Sequence, residues 1–596
     1  MTGDEAIKYI ESRTASTRLG LFRTRQLLAM LGDPHKKLRF VHVAGTNGKG
    51  SACAMLSSVL MASGYRTGLY TSPYIRRFNE RMQINGVDIP DAELARLTER
   101  IIPLVEKMDD PPSQFEVITA IAMQWFLEKG CDVVVLEVGL GGELDSTNVI
   151  DSPAAAVIMN IGLEHTEYLG NTIASVASAK AGIIKPGCPV VCYDSGSESA
   201  EVFRSRCREV GASYIPVDFS GLHRTAQSLD GQSFTLNGES YTIPLLGDHQ
   251  LKNAAVVLKT VEVLRSRGFS ISEAALKDGL CRTRWPARFE LLRREPPFVL
   301  DGAHNPQCAE ALKDGLSCVF PGRRFTMISG ILRDKDADAM LSSLLPFANR
   351  VYCVTPESPR ALPAGEYARL IEERGVPASV CASVGDALRL ALNGGEAVLA
   401  CGSLYMAGEI ENLYPQVMKD ILRRECKKRR ASLSDDERER FSRQISERIA
   451  ESREYKNASV ILSYRATGTE AEVRLPDDGK LVAYPKTEPD GSMRALVPES
   501  ADAFIKGAFG IWEPDPLRSR ELSPEEIGLV ICPCVGFSGR HRLGMGKGFY
   551  DRFLPKCVNA KAVAVAFETQ HIAELPTQPH DFTVAAVFTE KGEYRY

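Results

Sequence analysis

The chain has 596 residues, with 72 Lys and Arg against 76 Asp and Glu and a net charge of −4. That length predicts three or four domains at roughly 150 residues each, and 44% apolar with 25% charged residues is a globular composition. So even a charge excludes a global pull toward nucleic acid or an anionic membrane, and no apolar run approaches the roughly 18 residues of a membrane span. The opening MTGDEAIKYIESR carries acids and no apolar core, so it does not read as a secretory signal. Fifteen scattered cysteines without a C-x-x-C pair read as reduced thiols in the cytoplasm. The pattern leaves the oligomeric state open, with a monomer as the expectation.

In chain order, residues 38–43 read as a strand, and Met55, Leu56, Val59 and Leu60 then recur at helical spacing. Segments 131–139, 154–162, 297–302, 324–331, 350–355 and 396–403 read as further buried strands between helical stretches. That alternation predicts an α/β fold with doubly wound parallel sheets. The Arg- and Pro-rich stretch 282–297 suggests a boundary near 295. Residues 409–449 are charged and helical, with a restart at Ser434 as N-cap before three acids. The basic run Lys427, Lys428, Arg429 and Arg430 lacks interleaved aromatics and reads as a solvated helix face. Strands return at 458–464, 480–485, 527–533 and 561–567. The expected domains are 1–295, 296–415 and 416–596.

Two glycine-rich loops carry the chemistry. VAGTNGKGS (43–51) departs from the G-x-x-x-x-G-K-[ST] pattern, yet it follows a strand and opens a helix. Glycines let backbone N–H groups approach phosphate oxygens, the helix N-terminus adds positive charge, and Lys49 and Ser51 supply a cation and a hydroxyl. In GRHRLGMGKGFYDRF (539–553), Gly544, Gly546 and Gly548 alternate beside Arg542 and Lys547, and the same anion-binding argument holds. Glu137, Asp301 and His304 fall at strand ends, where ligands of open α/β sheets sit.

VAGTNGKGS resembles the ATP loop of folylpolyglutamate synthases and related Mur ligases. In order, TSPYIRRFNERMQING (71–86), LEVGLGGELDSTNVI (136–150), IGLEHTEYLG (161–170), AKAGIIKPG (179–187), RWPARFE (284–290), DGAHNP (301–306), GILRDKD (330–336) and CGSLYMAGE (401–409) resemble that family's later motifs. The likeness runs through about 1–415 and implies a Mur-ligase-like ATPase domain followed by a Rossmann-like ligase domain. It implies that Gly45, Thr46, Asn47, Gly48, Gly50 and Ser51 cradle ATP with Lys49, and that Asn253 and Arg288 contact the nucleotide. Asp301 and His304 belong to the same nucleotide and catalytic motif. Ser51, Ser72, Glu137 and His165 match Mg²⁺ ligands, Lys180 matches a lysine that the family carbamylates, and Phe115, Glu116, Leu144, Asp145 and Ser146 match the pterin and substrate region. Glu143 stands where the family commonly has Arg, Glu164 where Asp is usual, and Ala179 where Glu is usual.

Residues 416–596 resemble 5-formyltetrahydrofolate cyclo-ligase, an α/β domain, through the second loop and through KDILR (419–423), LSYRATGTEAEV (462–473), AYPKTEPDGSMR (483–494), GAFGIWEP (507–514) and ELPTQPHDFTV (574–584). The resemblance implies ATP contacts from Lys419 and Arg423. It implies an ATP and folate loop of Arg542, Leu543, Gly544, Met545, Gly546, Lys547, Gly548, Phe549 and Tyr550, a folate-side Glu470, and Mg²⁺ ligands Asp551 and Asp581. Cys534 and Ser538 replace the Gly and Asp of the family's PGLAFD, and 474–480 is short. Together the resemblances imply a fused enzyme with small-molecule partners: ATP, Mg²⁺, L-glutamate and reduced folates. One half would add glutamate to folates through an acyl phosphate, and the other would cyclise 5-formyltetrahydrofolate. Three alternatives stand beside this: a synthase half acting on dihydropteroate, a third domain that binds folate without catalysis, and a cell-wall Mur-type ligase.

Overall fold

Strands that are apolar on both faces need cover on both faces, and β5 (Val133–Glu137) illustrates it: Val133 and Val135 enter one core while Val134 and Leu136 enter another. The computed structural model describes residues 1–13, 20–193, 196–507 and 510–595. Ala508 and Phe509 of the GAFGIWEP motif lie outside the described residues. The chain divides into two units, Met1–Asn412 and Leu413–Tyr596.

The first unit holds two large sheets. With β1 (Phe40–Ala44), β2 (Thr67–Tyr70), β3 (Met82–Ile84), β4 (Val87–Asp88), β6 (Ala155–Ile158), β7 (Pro189–Cys192) and β8 (Ser213–Pro216), the order is β4-β3-β2-β5-β1-β6-β7-β8. β2, β5, β1, β6, β7 and β8 form a parallel body, and β3 and β4 add an antiparallel edge. Helices Lys49–Ala62 and Asp248–Ser266 pack on one face through Leu56, Val59 and Val257, and Asp91–Val105 and Gln114–Glu128 on the other through Ile101, Ile118 and Phe126.

β9 (Leu222–Ser228), β10 (Gly231–Leu236) and β11 (Glu239–Ile243) make a small antiparallel sheet that the sequence reading passed over. Its strands are mostly polar, so they lack the apolar runs by which the others were found. The second large sheet, β12-β13-β17-β14-β15-β16, uses β12 (Glu290–Arg293), β13 (Phe298–Leu300), β14 (Phe325–Ser329), β15 (Ala348–Cys353), β16 (Ala378–Val380) and β17 (Val398–Cys401), all parallel but β12. The expected parallel sheets are present, with short return strands pairing antiparallel at their edges.

The unit boundary falls within helix Leu404–Ala431. Ser434 then caps helix Asp435–Glu451 in a reciprocal box with Glu437, as its sequence predicts. The second unit's eight-stranded sheet runs Ser519–Leu522, Met493–Pro498, Leu481–Thr487, Val460–Leu462, Leu529–Pro533, Lys561–Val565, Ala586–Phe588, Glu593–Tyr594, with a parallel centre and antiparallel edges. Among the described residues no helix is long and apolar enough to cross a membrane.

Candidate active sites

In the first unit the polar residues collect at the carboxyl ends of the parallel strands. β1 runs into Gly45, and helix Lys49–Ala62 starts after Gly48 without a side-chain cap. Its first N–H groups therefore point out of the loop for an acceptor to meet. Gly48 sits at φ +87°, and a β-carbon there would lie 2.6 Å from Asn253 Oδ1. A β-carbon at Gly45 would lie 2.6 Å from Met159 Cβ. Both contacts require glycine. Lys49 Nζ donates to the carbonyls of Gly45 (2.9 Å) and Thr46 (3.0 Å), and Thr46 Oγ1 donates to Gly162 O (3.0 Å). Gln250 Nε2 donates to Ser51 Oγ (3.2 Å), and Asn253 Nδ2 donates to Gln250 Oε1 (3.1 Å). Gly50 faces Trp285.

Glu137 ends β5 fully buried. Burial pushes its carboxyl up to about 7 against the pull of Lys49, and Ser72 N–H donates to it at 3.2 Å. Ser72 Oγ accepts from Arg81 at 2.9 Å. After β6, Glu164 pairs with Lys180 Nζ at 2.5 Å, and Lys180 also donates to Gly45 O at 2.9 Å. Burial favours the neutral acid at Glu164, yet the charges of Lys49 and Lys180 hold it down to about 2. Burial likewise brings the Lys180 ammonium to about 8, with Glu164 opposing. His165 precedes a short turn of helix at φ +46°, and burial lowers its imidazole.

The second sheet contributes Asp301 after β13. Its carboxylate accepts from Phe289 N–H and Ala303 N–H, both at 2.7 Å. The first bond helps hold Ala287 and Phe289 at φ +50° and +48°, a conformation that costs about 1–3 kcal/mol per residue. Arg288 Nη1 donates to Ala287 O at 2.9 Å, and His304 Nδ1 lies 2.8 Å from Gly302 O, its imidazole driven by burial to about 4. Asn47 binds the two sheets' loops together: it donates to Gln307 Oε1 (2.7 Å) and accepts from Asn305 (3.0 Å). At the start of helix Leu404–Ala431, Gly408 presses on the Ile75 carbonyl so closely that a β-carbon would fall 1.7 Å from that oxygen. Asn412 Nδ2 donates to Arg76 O nearby (2.9 Å).

In the second unit, Arg542 is buried and donates to Asp551 Oδ1 at 2.8 Å, where Phe582 N–H also donates at 3.3 Å. Lys419 Nζ reaches both oxygens of Asp581 (2.7 and 2.9 Å) and Gln578 Oε1 (3.1 Å). Arg423 Nε donates to Gly544 O at 2.8 Å, tying the helix to the glycine loop. Gly548, at φ +68°, opens the short helix Phe549–Phe553. Leu543 is buried, while Met545, Gly546 and Lys547 are exposed, and the Tyr550 hydroxyl is buried with no hydrogen-bond partner. Glu470 accepts from Thr467 N–H and Oγ–H (both 3.0 Å) and lies 3.8 Å from Arg430. Arg430 corrects the solvated-face reading: Lys427, Lys428 and Arg429 are exposed, but Arg430 is buried and donates to Thr469 Oγ1 (3.0 Å).

Residues 43–261 match the Mur ligase middle domain, 287–404 the Mur ligase glutamate ligase domain, and 415–590 the 5-formyltetrahydrofolate cyclo-ligase family. Folylpolyglutamate synthase of Lacticaseibacillus casei is 37% identical over 431 residues, which cover 69% of this chain and 98% of that protein. The chain belongs to the folylpolyglutamate synthase family. Dihydrofolate synthase/folylpolyglutamate synthase of Bacillus subtilis is 39% identical over 354 residues, 57% of this chain and 82% of that one. The folylpolyglutamate synthase structure from Mycobacterium tuberculosis, complexed with ADP and AMPPCP, superposes with a TM-score of 0.64 at 32% identity over 69% of this chain and 97% of that one. The protein is an ATP-dependent ligase with a cyclo-ligase-family domain after its synthase domains.

Within the first unit the expected residues do not all converge. Phe115 packs against Gly139 beside Asp145, so the β5 loop gathers them with Glu137. Asp145 caps the turn Ser146–Val149 and accepts from Leu140 N–H, Ser146 is buried, and Leu144 is exposed. Glu116, expected in the substrate region, is 1% exposed, closes a capping box with Ser113, and accepts from Arg23 Nε at 3.0 Å on both oxygens. Lys180 is buried because its helix turns that face toward Gly45.

Gln250 and Arg81 were missed. Gln250 lies one helical turn before Asn253, a spacing that could have found it. Arg81 sits within the quoted FNER motif. Its guanidinium is buried, faces the rings of Tyr74 and Phe78, keeps Nε without a partner, and pairs with no carboxylate among the described residues.

Proposed function

We propose that the chain performs two ATP-dependent ligations on reduced folates, with 1–295, 296–415 and 416–596 as its domains. In the synthase half, an oxygen of the folate's terminal γ-carboxylate attacks the γ-phosphorus of ATP, giving an acyl phosphate and ADP. The amine of L-glutamate attacks the acyl carbon, phosphate leaves with the bonding pair, the amine loses a proton, and an amide forms. Lys49 and the N–H groups of the loop neutralise the transferring phosphoryl group. Asn253, Arg288, Asp301 and His304 position the nucleotide, and Arg81 is the counter-charge for a substrate carboxylate. One observation carries the reading: Lys49, Ser51, Glu137 and the Glu164–Lys180 pair lie at adjacent strand ends, joined through Asn47 to the second sheet.

Magnesium fits the first site. Glu137 is a buried carboxylate with one N–H donor and Lys49 as the cation that most eases its charge, so a divalent cation would supply what burial withholds. Among the described residues no three His, Cys, Asp or Glu side chains cluster as metal ligands. Ser51, Ser72, Glu137 and His165 would hold the ion together with phosphate oxygens, as suits this metal. It would neutralise phosphoryl charge there. The second unit fits it poorly: Asp551 and Asp581 are already balanced by Arg542 and Lys419.

In the second unit the formyl oxygen of 5-formyltetrahydrofolate attacks the γ-phosphorus of ATP and ADP leaves. N10 then attacks the activated carbon and loses its proton, phosphate departs with the C–O bonding pair, and 5,10-methenyltetrahydrofolate forms. Arg542 and Lys547 offset the phosphoryl charge. Product analysis of the purified chain with ATP, glutamate and each pteridine tests both halves. Release of neither ADP nor a glutamylated product sinks the first, and absence of methenyl absorbance sinks the second in favour of a non-catalytic folate module. Glutamate addition to dihydropteroate is a second reading of the synthase half, supported by the name of the Bacillus subtilis relative.

A further inference from the structure

The first unit contains a cavity of about 690 Å³ whose wall is the segment 73–77 that leads away from Ser72, within the usual size of a small-molecule site. Tyr74 and Trp285 give it two aromatic surfaces, and Arg76, Arg77 and Arg284 line it. Trp285 also faces Gly50, so this wall and the phosphate loop share a side chain. Two acids line the cavity as well. Glu80 is committed to the N–H groups of Ile75 (3.1 Å) and Arg76 (3.0 Å), and Asp88 accepts from Gln83 (3.0 Å). Arg76 pairs with Glu411, and Arg77 pairs with Asp91 at 3.0 Å while half exposed. Arg284 donates to Thr283 O at 2.9 Å and, among the described residues, pairs with no carboxylate.

A ligase that acts repeatedly on its own product must house a lengthening row of carboxylates just behind the reacting end. Guanidinium groups bind carboxylates in a forked geometry that ammonium groups lack. We propose that this cavity holds the poly-γ-glutamyl tail of the folate substrate, with Arg77 and Arg284 as its carboxylate partners. The inference rests on the synthase reading above and goes beyond it by placing the tail.

Full-length R77A/R284A, R284A and R284K chains are compared with wild type on folates bearing one and three glutamates, with thermal unfolding recorded for each. In R77A/R284A, kcat/KM for the triglutamate falls at least fivefold relative to that for the monoglutamate, and products shift to shorter chains. R284K recovers less than half of the R284 contribution, because a point charge replaces a fork. An unchanged ratio in a normally folded variant overturns the proposal. So does an equal rise in KM for free L-glutamate at every tail length, which assigns the cavity to the incoming amino acid. Wild-type chain that extends no folate overturns both this and the synthase reading. A failure of the cavity alone leaves ligation intact, so the two failures are distinguishable.

Discussion

Replacing Arg23 by Met decides whether Glu116 holds the fold or reads a substrate. Arg23 Nε stands 3.0 Å from both oxygens of a carboxylate that is 1% exposed, and after its removal the Ser113 N–H at 2.7 Å remains. Breaking a buried pair from one side costs about 3–5 kcal/mol. The expected loss at pH 7 is therefore about 3–5 kcal/mol. Urea unfolding, with KM for the pteridine alongside, reads this out, and adding Glu116→Gln should recover at least half of the loss. If the variant unfolds like wild type at pH 7 while KM for the pteridine rises tenfold, the structural account of Glu116 is refuted.

Lys49→Ala should lower glutamate addition by at least about 100-fold and spare cyclisation, and Arg542→Ala should do the reverse; if a folded variant loses both activities, the two-site reading fails. Arg81→Met should raise KM for the substrate carboxylate by roughly 10- to 100-fold without lowering the unfolding temperature, since it removes a buried charge with no acid partner; an unchanged KM assigns Arg81 to packing. His42, buried in β1 with Nε2 2.9 Å from Thr147 Oγ1, is held neutral by burial to about 3. The stability this contributes is present above its unfolded value of 6.5 and is lost as pH falls toward 3. Between pH 7 and 4.5 wild type should lose about 2.7 kcal/mol more than His42→Gln, measured by denaturant unfolding, and equal acid losses would count against it.

The central strands were legible because both their faces are buried, so each is an apolar run regardless of its partners. β9 to β11 escaped because only scattered residues such as Phe234 and Ile243 reach the core, and the polar residues between them leave no apolar run to find. Site residues divide the same way. Lys49, Ser51 and Glu137 announce themselves by strand-loop-helix order. Lys180 does not, because its burial depends on Gly45 and Glu164, distant in sequence. At Glu116 the S-x-x-E spacing writes the capping box with Ser113, while the pairing with Arg23, 93 residues away, is not legible. Arg430 misled because three exposed cations in a row say nothing about the fourth, which the helix turns inward toward Glu470.

Position 408 admits a hydrogen and nothing larger. The Ile75 oxygen it touches belongs to the same short run of backbone that carries Tyr74, Arg76 and Arg77. One added methyl would shove that run bodily outward, and three side chains would travel with it. How far the arginines stand from whatever they grip is thus set by a residue that contributes no side chain of its own.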